Sequence, residues 1–301
     1  MSLADDEVFV SSGASDELGD ILDLFDPCSS ALVIEPAYPA YVDASIIAGR
    51  RIVHLPASRE DGFLPEPCNE AKADLIYLCS PNNPTGAVYS RAQLQRRADF
   101  ANDHGSLILF DAAYEAFIED PTLPHSIMEL PGAKTCAIEI CSLSKTAGFT
   151  GTRLGYTVIP HDLVRADMSL HDMWVRNRTT KTNGVSYVIQ RGAAAVFTPE
   201  GRDRCGRIWP TTRRTRRCSC GPSIRQPRGT AAGTMPPTSG CSARTAWAAG
   251  SSSTCCCTRP RLWAPQEQAL APVAKANLRF STFGSLTDTE EAARRLLALL
   301  G

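Results

Sequence analysis

A lysine and an arginine lie in one polar loop of the chain, SLSKTAGFTGTR at residues 142–153. The loop follows a short apolar run at 137–141, which is typical of a buried strand. Lys145 can present its amine to an aldehyde. The hydroxyl groups of Ser142 and Ser144, together with the planar guanidinium of Arg153, suit a phosphate group. We therefore expect this loop to bind a ligand that carries both an aldehyde and a phosphate.

Polar residues of particular types follow two other apolar runs of the chain, and a tyrosine lies in a further short motif. Asp111 ends the run 106–110, where an unpaired buried carboxylate would be costly, and Tyr114 comes three residues later. Asn83 follows the run 74–79 in the sequence SPNNPTG, and Tyr38 lies in EPAYP. Each residue could bind one part of an aromatic, phosphorylated aldehyde.

Pyridoxal phosphate (PLP) meets the requirements of all these residues. Asp111 would pair with the protonated pyridine nitrogen, while Asn83 and Tyr114 would bind the 3′ oxygen. Tyr38 would stack on the ring. Taken singly, the residues have simpler interpretations: Asn83 as a turn residue, Tyr38 as a core residue, Asp111 as a helix cap and Lys145 as a surface lysine. Their joint position at the ends of strands favours the cofactor.

The elements that would position these residues follow an α/β pattern. The short apolar runs alternate with helical stretches such as 91–104, which Gly105 ends. This alternation predicts βαβ units and a mostly parallel central sheet with helices on both faces. The carboxyl ends of such strands carry the binding site. Near the C-terminus, residues 278–283 predict a strand and residues 287–300 an amphipathic helix.

The composition is that of a globular protein with an uneven distribution of charge. Hydrophobic residues make up 43% and charged residues 21% of the 301 residues, which excludes an intrinsically disordered chain. No apolar run reaches the roughly 18–20 residues of a membrane-spanning helix, and we expect no membrane partner. The net charge of −1 argues against nucleic acid as a partner. It arises because residues 1–200 hold 15 basic and 27 acidic residues, whereas residues 201–265 hold 12 arginines and one acid.

Residues 201–265 show neither helical nor strand periodicity, and seven of the twelve cysteines lie between Cys205 and Cys257. Three interpretations compete for this segment. The run 213–217 suggests a basic arm for nucleic acid or an acidic partner. The clusters 218–220 and 255–257 suggest a metal site, although three adjacent cysteines cannot all face one ion. The third interpretation is an out-of-frame translation.

The out-of-frame interpretation follows from the genetic code. When the last base of each codon is read with the first two bases of the next, the cysteines at 255–257 become leucines. In the same shift, Gly233–Cys241 permits HNAPYVWL, and the shifted strings taken together show helix and strand periodicity. We favour this interpretation, with the frame changing near Gly206 and returning between Gln266 and Asn277, and we expect no bound metal.

The chain is thus predicted to contain three parts. A large PLP-binding domain is predicted at 1–200. An aberrant segment at 201–276 is expected to be a frameshifted, disordered small domain, and residues 277–301 are a remnant of that incomplete small domain. The remaining cysteines, Cys28, Cys68, Cys79, Cys136 and Cys141, are expected to be ordinary reduced thiols.

Several stretches of the sequence resemble the class I/II, fold-type I PLP-dependent aminotransferases, and most closely the LL-diaminopimelate aminotransferase family. NNPTG and SxSK with a downstream arginine are typical of the whole class, whereas PAYPAYVD, DAAYEAFI and SKTAGFTG point to the narrower family. The stretches that carry the resemblance are VFVSSGASDELGDI, EPAYPAYVDASIIAGR, LIYLCSPNNPTGAVYSRAQL, ILFDAAYEAFIED, EICSLSKTAGFTGTRLGY and LRFSTFG.

The resemblance implies a set of cofactor-binding residues. Among them, Lys145 would bind PLP covalently and move the proton between Cα and C4′, while Ser142 and Arg153 would hold the phosphate. The full set is Gly13, Ala14, Ser15, Tyr38, Asn83, Asp111, Tyr114, Ser142, Lys145 and Arg153.

The resemblance also implies substrate contacts and a partner. Arg279 would bind the α-carboxylate of the substrate, and Asn183 would reach the site of a neighbouring subunit in a homodimer. The chain departs from the family at Ser12–Ser15, where a lysine is missing from the first phosphate loop. It also lacks the residues that precede this loop in the family and supply an N-terminal arm with substrate contacts.

The function that the resemblance implies is reversible amino transfer between LL-2,6-diaminopimelate and 2-oxoglutarate, giving tetrahydrodipicolinate and glutamate in lysine biosynthesis. The substrates would be a small amino acid and a 2-oxo acid. The alternatives are another class I/II aminotransferase, acting on lysine, aspartate or an aromatic amino acid, and an inactive fragment or basic-arm binding protein. An algal or plant gene would place the protein in the plastid stroma, and any other gene in the cytoplasm.

Overall fold

In the computed structural model, the described part of the chain comprises residues 3–206, two strands at 238–242 and 277–281, and residues 291 and 294. The strands of the central sheet are β1 Val8–Ser11, β2 Ala31–Glu35, β3 Ile52–Pro56, β4 Leu75–Cys79, β5 Leu107–Asp111, β6 Ala137–Ser142 and β7 Gly155–Val158. They are ordered β1-β7-β6-β5-β4-β2-β3. Strands β2 to β6 run parallel, and β7 is antiparallel to both β6 and β1. The predicted mostly parallel sheet is confirmed.

Helices connect these strands and continue the chain beyond them. They are α1 Ala14–Asp20, α2 Pro39–Ile47, α3 Arg91–His104, α4 Leu143–Thr146, α5 Leu170–Lys181 and α6 Tyr187–Ala194, with further helical structure at 199–206. A small hairpin, β8 Val164–Arg165 and β9 Met168–Ser169, precedes α5. In the part of the chain that the structure describes, no helix has the length and apolar character that crossing a membrane requires.

The core lies on both faces of the sheet because alternate residues of each strand point to opposite faces. In β5, Ile108 and Phe110 belong to one buried cluster, and Leu107 and Leu109 belong to the other. The first cluster is covered by α3, and the second by α1, α2 and α5. The predicted helices on both faces are therefore confirmed.

Helix α3 has the bounds that the sequence predicts. Ser90 accepts a hydrogen bond from the backbone N–H of Gln93, whose side chain in turn accepts from the backbone of Ser90. This capping box satisfies two of the free donors at the start of the helix. Gly105 ends the helix with φ 68°, a left-handed conformation in which glycine is not strained. The predicted buried side of the helix is confirmed by the complete burial of Leu94, Ala98 and Ala101.

A buried ion pair anchors α1 to the rest of the domain. The carboxylate of Glu17 accepts hydrogen bonds from Thr157 on β7, at 2.8 Å, and from Arg178 on α5, at 2.9 Å. Arg178 also binds Asp20 and packs over the ring of Trp174, 4.4 Å from its centroid. Burial raises the pKa of Glu17 to about 7, against the lowering effect of these partners. This network fixes α1, and with it the loop at its start.

We expect Arg178→Ala to lower the free energy of unfolding by about 3–5 kcal/mol, because it leaves the buried carboxylate of Glu17 without its cation. Chemical denaturation of the full chain measures the change. The control is Arg176→Ala, which removes an exposed arginine from the same helix. Equal losses in the two variants would contradict the role given to the ion pair.

A second buried carboxylate lies in the middle of β6. Glu139 accepts hydrogen bonds from the hydroxyl of Ser126, at 2.6 Å, and from the backbone N–H of Ile127, at 2.9 Å. Burial nevertheless raises its pKa to about 7. Because this folded-state pKa lies above the ordinary glutamate value of 4.5, the native state holds a proton that the unfolded chain releases. The contribution of Glu139 to stability is therefore present at low pH and is lost as the pH rises towards 7.

We expect Glu139→Gln to reduce the loss of stability between about pH 5 and about pH 8 by about 2–3 kcal/mol, since glutamine does not titrate. Denaturation at both pH values measures this difference. Glu70→Gln, which changes an exposed carboxylate, serves as the control. The same pH dependence in wild type and Glu139→Gln would show that Glu139 does not hold the extra proton.

Two strands lie beyond the large domain. β10 Thr238–Ser242 pairs antiparallel with β11 Asn277–Ser281, so that Gly240 is opposite Arg279. β11 agrees with the start of the strand predicted at 278–283, whereas the sequence of residues 201–265 predicts no strand at 238–242. Residues 282–283 and most of the predicted helix 287–300 lie outside the described residues, apart from Glu291 and Arg294. These two residues are helical and form an ion pair at 2.7 Å.

Candidate active site

The carboxyl ends of three neighbouring parallel strands bring the predicted site residues to one edge of the sheet. Cys79, the last residue of β4, is in register with Asp111 at the end of β5, which is bound in turn to β6 opposite Ile140. Asn83 follows β4, and Lys145 lies in α4 directly after β6. As expected from the sequence, these residues lie at the carboxyl ends of neighbouring parallel strands.

Asp111 is buried, with 5% of its surface exposed, and is held by two donors. The hydroxyl of Tyr41 donates to one carboxylate oxygen at 2.6 Å, and the backbone N–H of Ala113 donates to the other at 2.9 Å. Burial raises the pKa of Asp111, and both hydrogen bonds oppose that shift because they favour the ionised form. A carboxylate has about four acceptor positions, so two positions are open to a further donor.

Three tyrosines form an aromatic group beside Asp111. Tyr38, half-buried at the start of α2, lies edge-on to Tyr41, with ring centroids 5.7 Å apart and an interplanar angle of 84°. Tyr41 stacks on Tyr77 of β4 at 4.9 Å and 13°. Tyr38 is therefore close to Asp111 in the fold, because Tyr41 contacts both residues. In the sequence, Tyr38 and Asp111 are 73 positions apart.

Asn83, Tyr114 and Lys145 also come together. The side-chain amide of Asn83 lies 3.5 Å from the hydroxyl of Tyr114. The amine of Lys145 lies 5.8 Å from the centroid of the Tyr114 ring, within the range of a cation–π contact. The structure thus places the lysine amine beside Tyr114, which in turn contacts Asn83, the other residue expected to bind the same oxygen of a ring.

Arg153 closes over the loop that precedes α1. A Cβ atom added to Gly13 would lie 2.7 Å from a terminal nitrogen of Arg153, and Gly13 has φ 117°, which side-chain-bearing residues rarely adopt. Arg153 itself has φ 59°, an uncommon conformation for a residue other than glycine. Its guanidinium lies 3.5 Å from the hydroxyl of Ser144. The loop, the arginine and the hydroxyl together form a small basic cradle.

The other members of the predicted phosphate site lie next to Gly13 in the chain or at the start of α4. Ala14 is buried and Ser15 is exposed in the first turn of α1. Ser142 accepts a hydrogen bond from the backbone N–H of Ser144 at 3.2 Å and so caps α4. Ser142 therefore fixes the helix that carries Lys145.

The two predicted substrate residues are not joined to this group by the described contacts. Asn183 is exposed in the turn between α5 and α6, with φ 50°. Arg279 is described only by its backbone in β11, where it is opposite Gly240. Their roles stay predictions.

Ser144, whose hydroxyl was expected to suit a phosphate, contacts the guanidinium of Arg153 at 3.5 Å. Sequence reasoning assigned no role to one residue that contacts the site, Tyr41. Tyr41 donates a hydrogen bond to Asp111. The sequence feature that could have indicated this role is the three-residue spacing of Tyr38 and Tyr41, which places both on one side of the first turn of a helix.

One group of potential metal ligands occurs among residues 3–206, away from this edge. Asp6 precedes β1, His161 follows β7 and His171 lies on α5, with their ligand atoms within 4.8 Å of one another. Both ring nitrogens of His171 face oxygen atoms of Asp6 and Asp172, and its ring packs on that of His161 at a centroid distance of 3.9 Å. This geometry favours a hydrogen-bonded cluster over converging metal ligands.

Comparisons with known proteins agree with the fold. The LL-diaminopimelate aminotransferases of Agathobacter rectalis and Lawsonia intracellularis are each 48% identical to this chain, over 65% of its length. The chain spans about half the length of these curated relatives, 52% in each case. The solved structure of L,L-diaminopimelate aminotransferase from Chlamydomonas reinhardtii matches with a TM-score of 0.90 at 32% identity, covering 100% of this chain and 76% of that one.

The family comparison covers most of the described domain. Residues 2–198 match the family described as aminotransferase class I and II, which includes every residue of the carboxyl edge described above. The match, the sheet order and the strand-end residues agree with one another, and the fold-type I assignment expected from the sequence is confirmed. The chain belongs to the class I and II aminotransferase family.

Proposed function

We propose that this chain carries the cofactor site of a PLP-dependent aminotransferase, acting between LL-2,6-diaminopimelate and 2-oxoglutarate. The observation that supports it most is the convergence of Lys145, Asp111 and Arg153 at one edge of the sheet. An amine, a buried carboxylate and a basic cradle are the three groups that an aldehyde, a pyridine nitrogen and a phosphate require.

The described residues fit PLP in three respects. Gly13 has no side chain and so lets the guanidinium of Arg153 lie against the loop backbone, where it can serve as a bidentate phosphate donor. Asp111 has acceptor positions beyond those used by Tyr41 and Ala113. The neutral amide and phenol of Asn83 and Tyr114 can bind an oxygen on the ring, and half-buried Tyr38 offers an aromatic face.

PLP, when bound, supplies an electron sink for the negative charge that develops on the substrate Cα. The role of Asp111 is to stay ionised and so to favour the protonated pyridine nitrogen. Lys145 would hold the cofactor until the substrate amine displaces it, and the released amine of Lys145 would take the proton from Cα and return it at C4′. The residues that would bind the phosphate, and so keep the ring in place for these transfers, are Gly13, Ala14, Ser15, Ser142 and Arg153.

The substrate class is supported by the relatives, two of which are named LL-diaminopimelate aminotransferases at 48% identity. Arg279 is proposed to bind the α-carboxylate of the substrate. The test is an amino-transfer assay of the full chain with PLP, 2-oxoglutarate and LL-diaminopimelate, lysine, aspartate or phenylalanine in turn. Turnover with diaminopimelate alone supports the proposal. Faster turnover with another amino donor would show that this donor, and not diaminopimelate, is the substrate. PLP binding without any turnover would support the inactive-fragment alternative.

A homodimer is proposed as the assembly in which Asn183 acts. Asn183 lies in an exposed turn, and the following helix α6 exposes Tyr187 and Val188, at 73% and 76%. Large apolar side chains exposed together are typical of an interaction surface. Analytical ultracentrifugation of the full chain tests this assembly, and a monomer at all concentrations would contradict it.

The division of the chain into 1–200, 201–276 and 277–301 is proposed to result from a change of reading frame. The position of β10 supports this proposal. Over Gly233–Cys241 the shifted frame permits HNAPYVWL, and its strand-forming residues coincide with β10, whose own sequence TSGCS has little strand propensity. Sequencing of the transcript tests it, since one uninterrupted frame encoding the printed residues would refute the frame change.

A further inference from the structure

Tyr41 is the one described side chain that donates a hydrogen bond to the carboxylate of Asp111. The bond measures 2.6 Å, which is typical of a hydroxyl that donates to an ionised oxygen. The second donor, Ala113, contributes its backbone N–H and cannot be altered by substitution of its side chain. Tyr41 is therefore the residue through which the state of Asp111 can be tested.

The position of Tyr41 is fixed from several directions. Only 2% of its surface is exposed, and its ring stacks on Tyr77. The hydroxyl of Ser45 donates to its backbone carbonyl at 2.7 Å, and Tyr38 packs against its edge. A donor held in this way restricts the rotation of the Asp111 carboxylate. It also links Asp111 to Tyr38, the residue proposed to stack on the cofactor ring.

The charge on Asp111 depends on the groups that surround it. Burial and the negative charge of Asp111 raise the pKa of Tyr41 well above its ordinary value, and the same causes raise the pKa of Cys79 on β4. Both groups are therefore neutral near pH 7. On the β6 side, Asp111 is opposite Ile140, which does not titrate. The cation of the site is Lys145 on α4, whose amine contacts the ring of Tyr114. In this group, Asp111 is the residue that carries the negative charge.

We propose that Tyr41 is a positioning residue that keeps Asp111 ionised and oriented towards the pyridine nitrogen of PLP, an inference that rests on the proposed function. Burial alone would favour the protonated carboxyl, which cannot stabilise a protonated pyridine. The hydrogen bond from Tyr41 opposes burial and keeps two acceptor positions of the carboxylate available. Tyr41 does this without contact with the reacting atoms.

The test compares Tyr41→Phe with wild type in the full chain. PLP affinity is measured by absorbance titration over a range of pH, and protonation of the cofactor is measured by NMR of PLP labelled with ¹⁵N in the ring. Loss of one hydrogen bond to a charged group predicts an affinity at least about 10-fold lower at neutral pH. The ¹⁵N shift should move towards that of the unprotonated ring. Tyr77→Phe, which removes a neighbouring buried hydroxyl that does not bind Asp111, is the matched control.

The pH dependence separates this role from a structural one. Without Tyr41, the pKa of Asp111 rises further, so a higher pH is needed to ionise it. The affinity ratio between wild type and Tyr41→Phe should therefore decrease as the pH rises, whereas a packing defect would give a constant ratio. An unchanged ¹⁵N shift in Tyr41→Phe, or equal losses in Tyr41→Phe and Tyr77→Phe, would overturn the inference. Absence of PLP binding by wild type would instead refute the proposed function.

Discussion

Lys145→Ala is expected to abolish amino transfer, with a rate at least about 1,000-fold below that of wild type, because it removes the group that takes and returns the proton at Cα. It also removes the amine to which PLP is proposed to bind covalently. The change should be in the rate of the chemical step, since the cradle around Arg153 still holds the phosphate. Single-turnover kinetics with the cofactor-loaded protein, followed by absorbance, measures it.

The control for this variant is Lys134→Ala. Lys134 lies just before β6 and Lys145 lies just after it, so the two lysines are at opposite ends of the same strand. Lys134 forms an ion pair with Glu7 at 3.8 Å, at the start of β6 and not at its carboxyl end. The rate of Lys134→Ala should equal that of wild type. Retention of amino transfer by Lys145→Ala would contradict the role proposed for this lysine.

Asp111→Asn is expected to lower the rate of amino transfer at least about 100-fold while leaving the apoprotein as stable as wild type or more so. Asparagine is neutral, so it cannot favour a protonated pyridine nitrogen. It also carries no burial cost for a charge, and that cost is what raises the pKa of Asp111. Opposite effects on function and stability are typical of a residue that is kept for chemistry.

Steady-state kinetics and thermal unfolding of the apoprotein measure the two effects of Asp111→Asn separately. Asp120→Asn provides the control, because Asp120 is a nearby carboxylate bound to Thr122 at the surface. A loss of both stability and activity in Asp111→Asn would indicate that Asp111 is a structural residue.

The parts of the fold that were predictable are those in which local sequence and burial agree. Helix α3 has an apolar side, a capping box and a glycine end, and each of these signals depends on residues a few positions apart. The apolar runs of β4, β5 and β6 predict buried parallel strands for the same reason. Once those strands are neighbours, the meeting of Asn83, Asp111 and Lys145 at one edge follows from their parallel direction.

Other features depend on contacts between distant segments and leave little local signal. The hydrogen bond from Tyr41 to Asp111 joins residues 70 positions apart, and the contact of Thr157 with Glu17 joins residues 140 apart. Neither partner can be chosen from spacing alone, because any buried tyrosine or threonine satisfies the same pattern. β10 was not predicted since its residues are small and polar, and its pairing with β11 is a tertiary effect.

The central claim is that the carboxyl edge of β4, β5 and β6 binds PLP through Lys145. The most direct measurement is to load the full chain with PLP, reduce the bond with borohydride, digest the protein and locate the modified lysine by mass spectrometry. The claim predicts that the label is on Lys145 and that it is absent from Lys134 and Lys181. No label, or label spread over surface lysines with Lys145 unmodified, would contradict it.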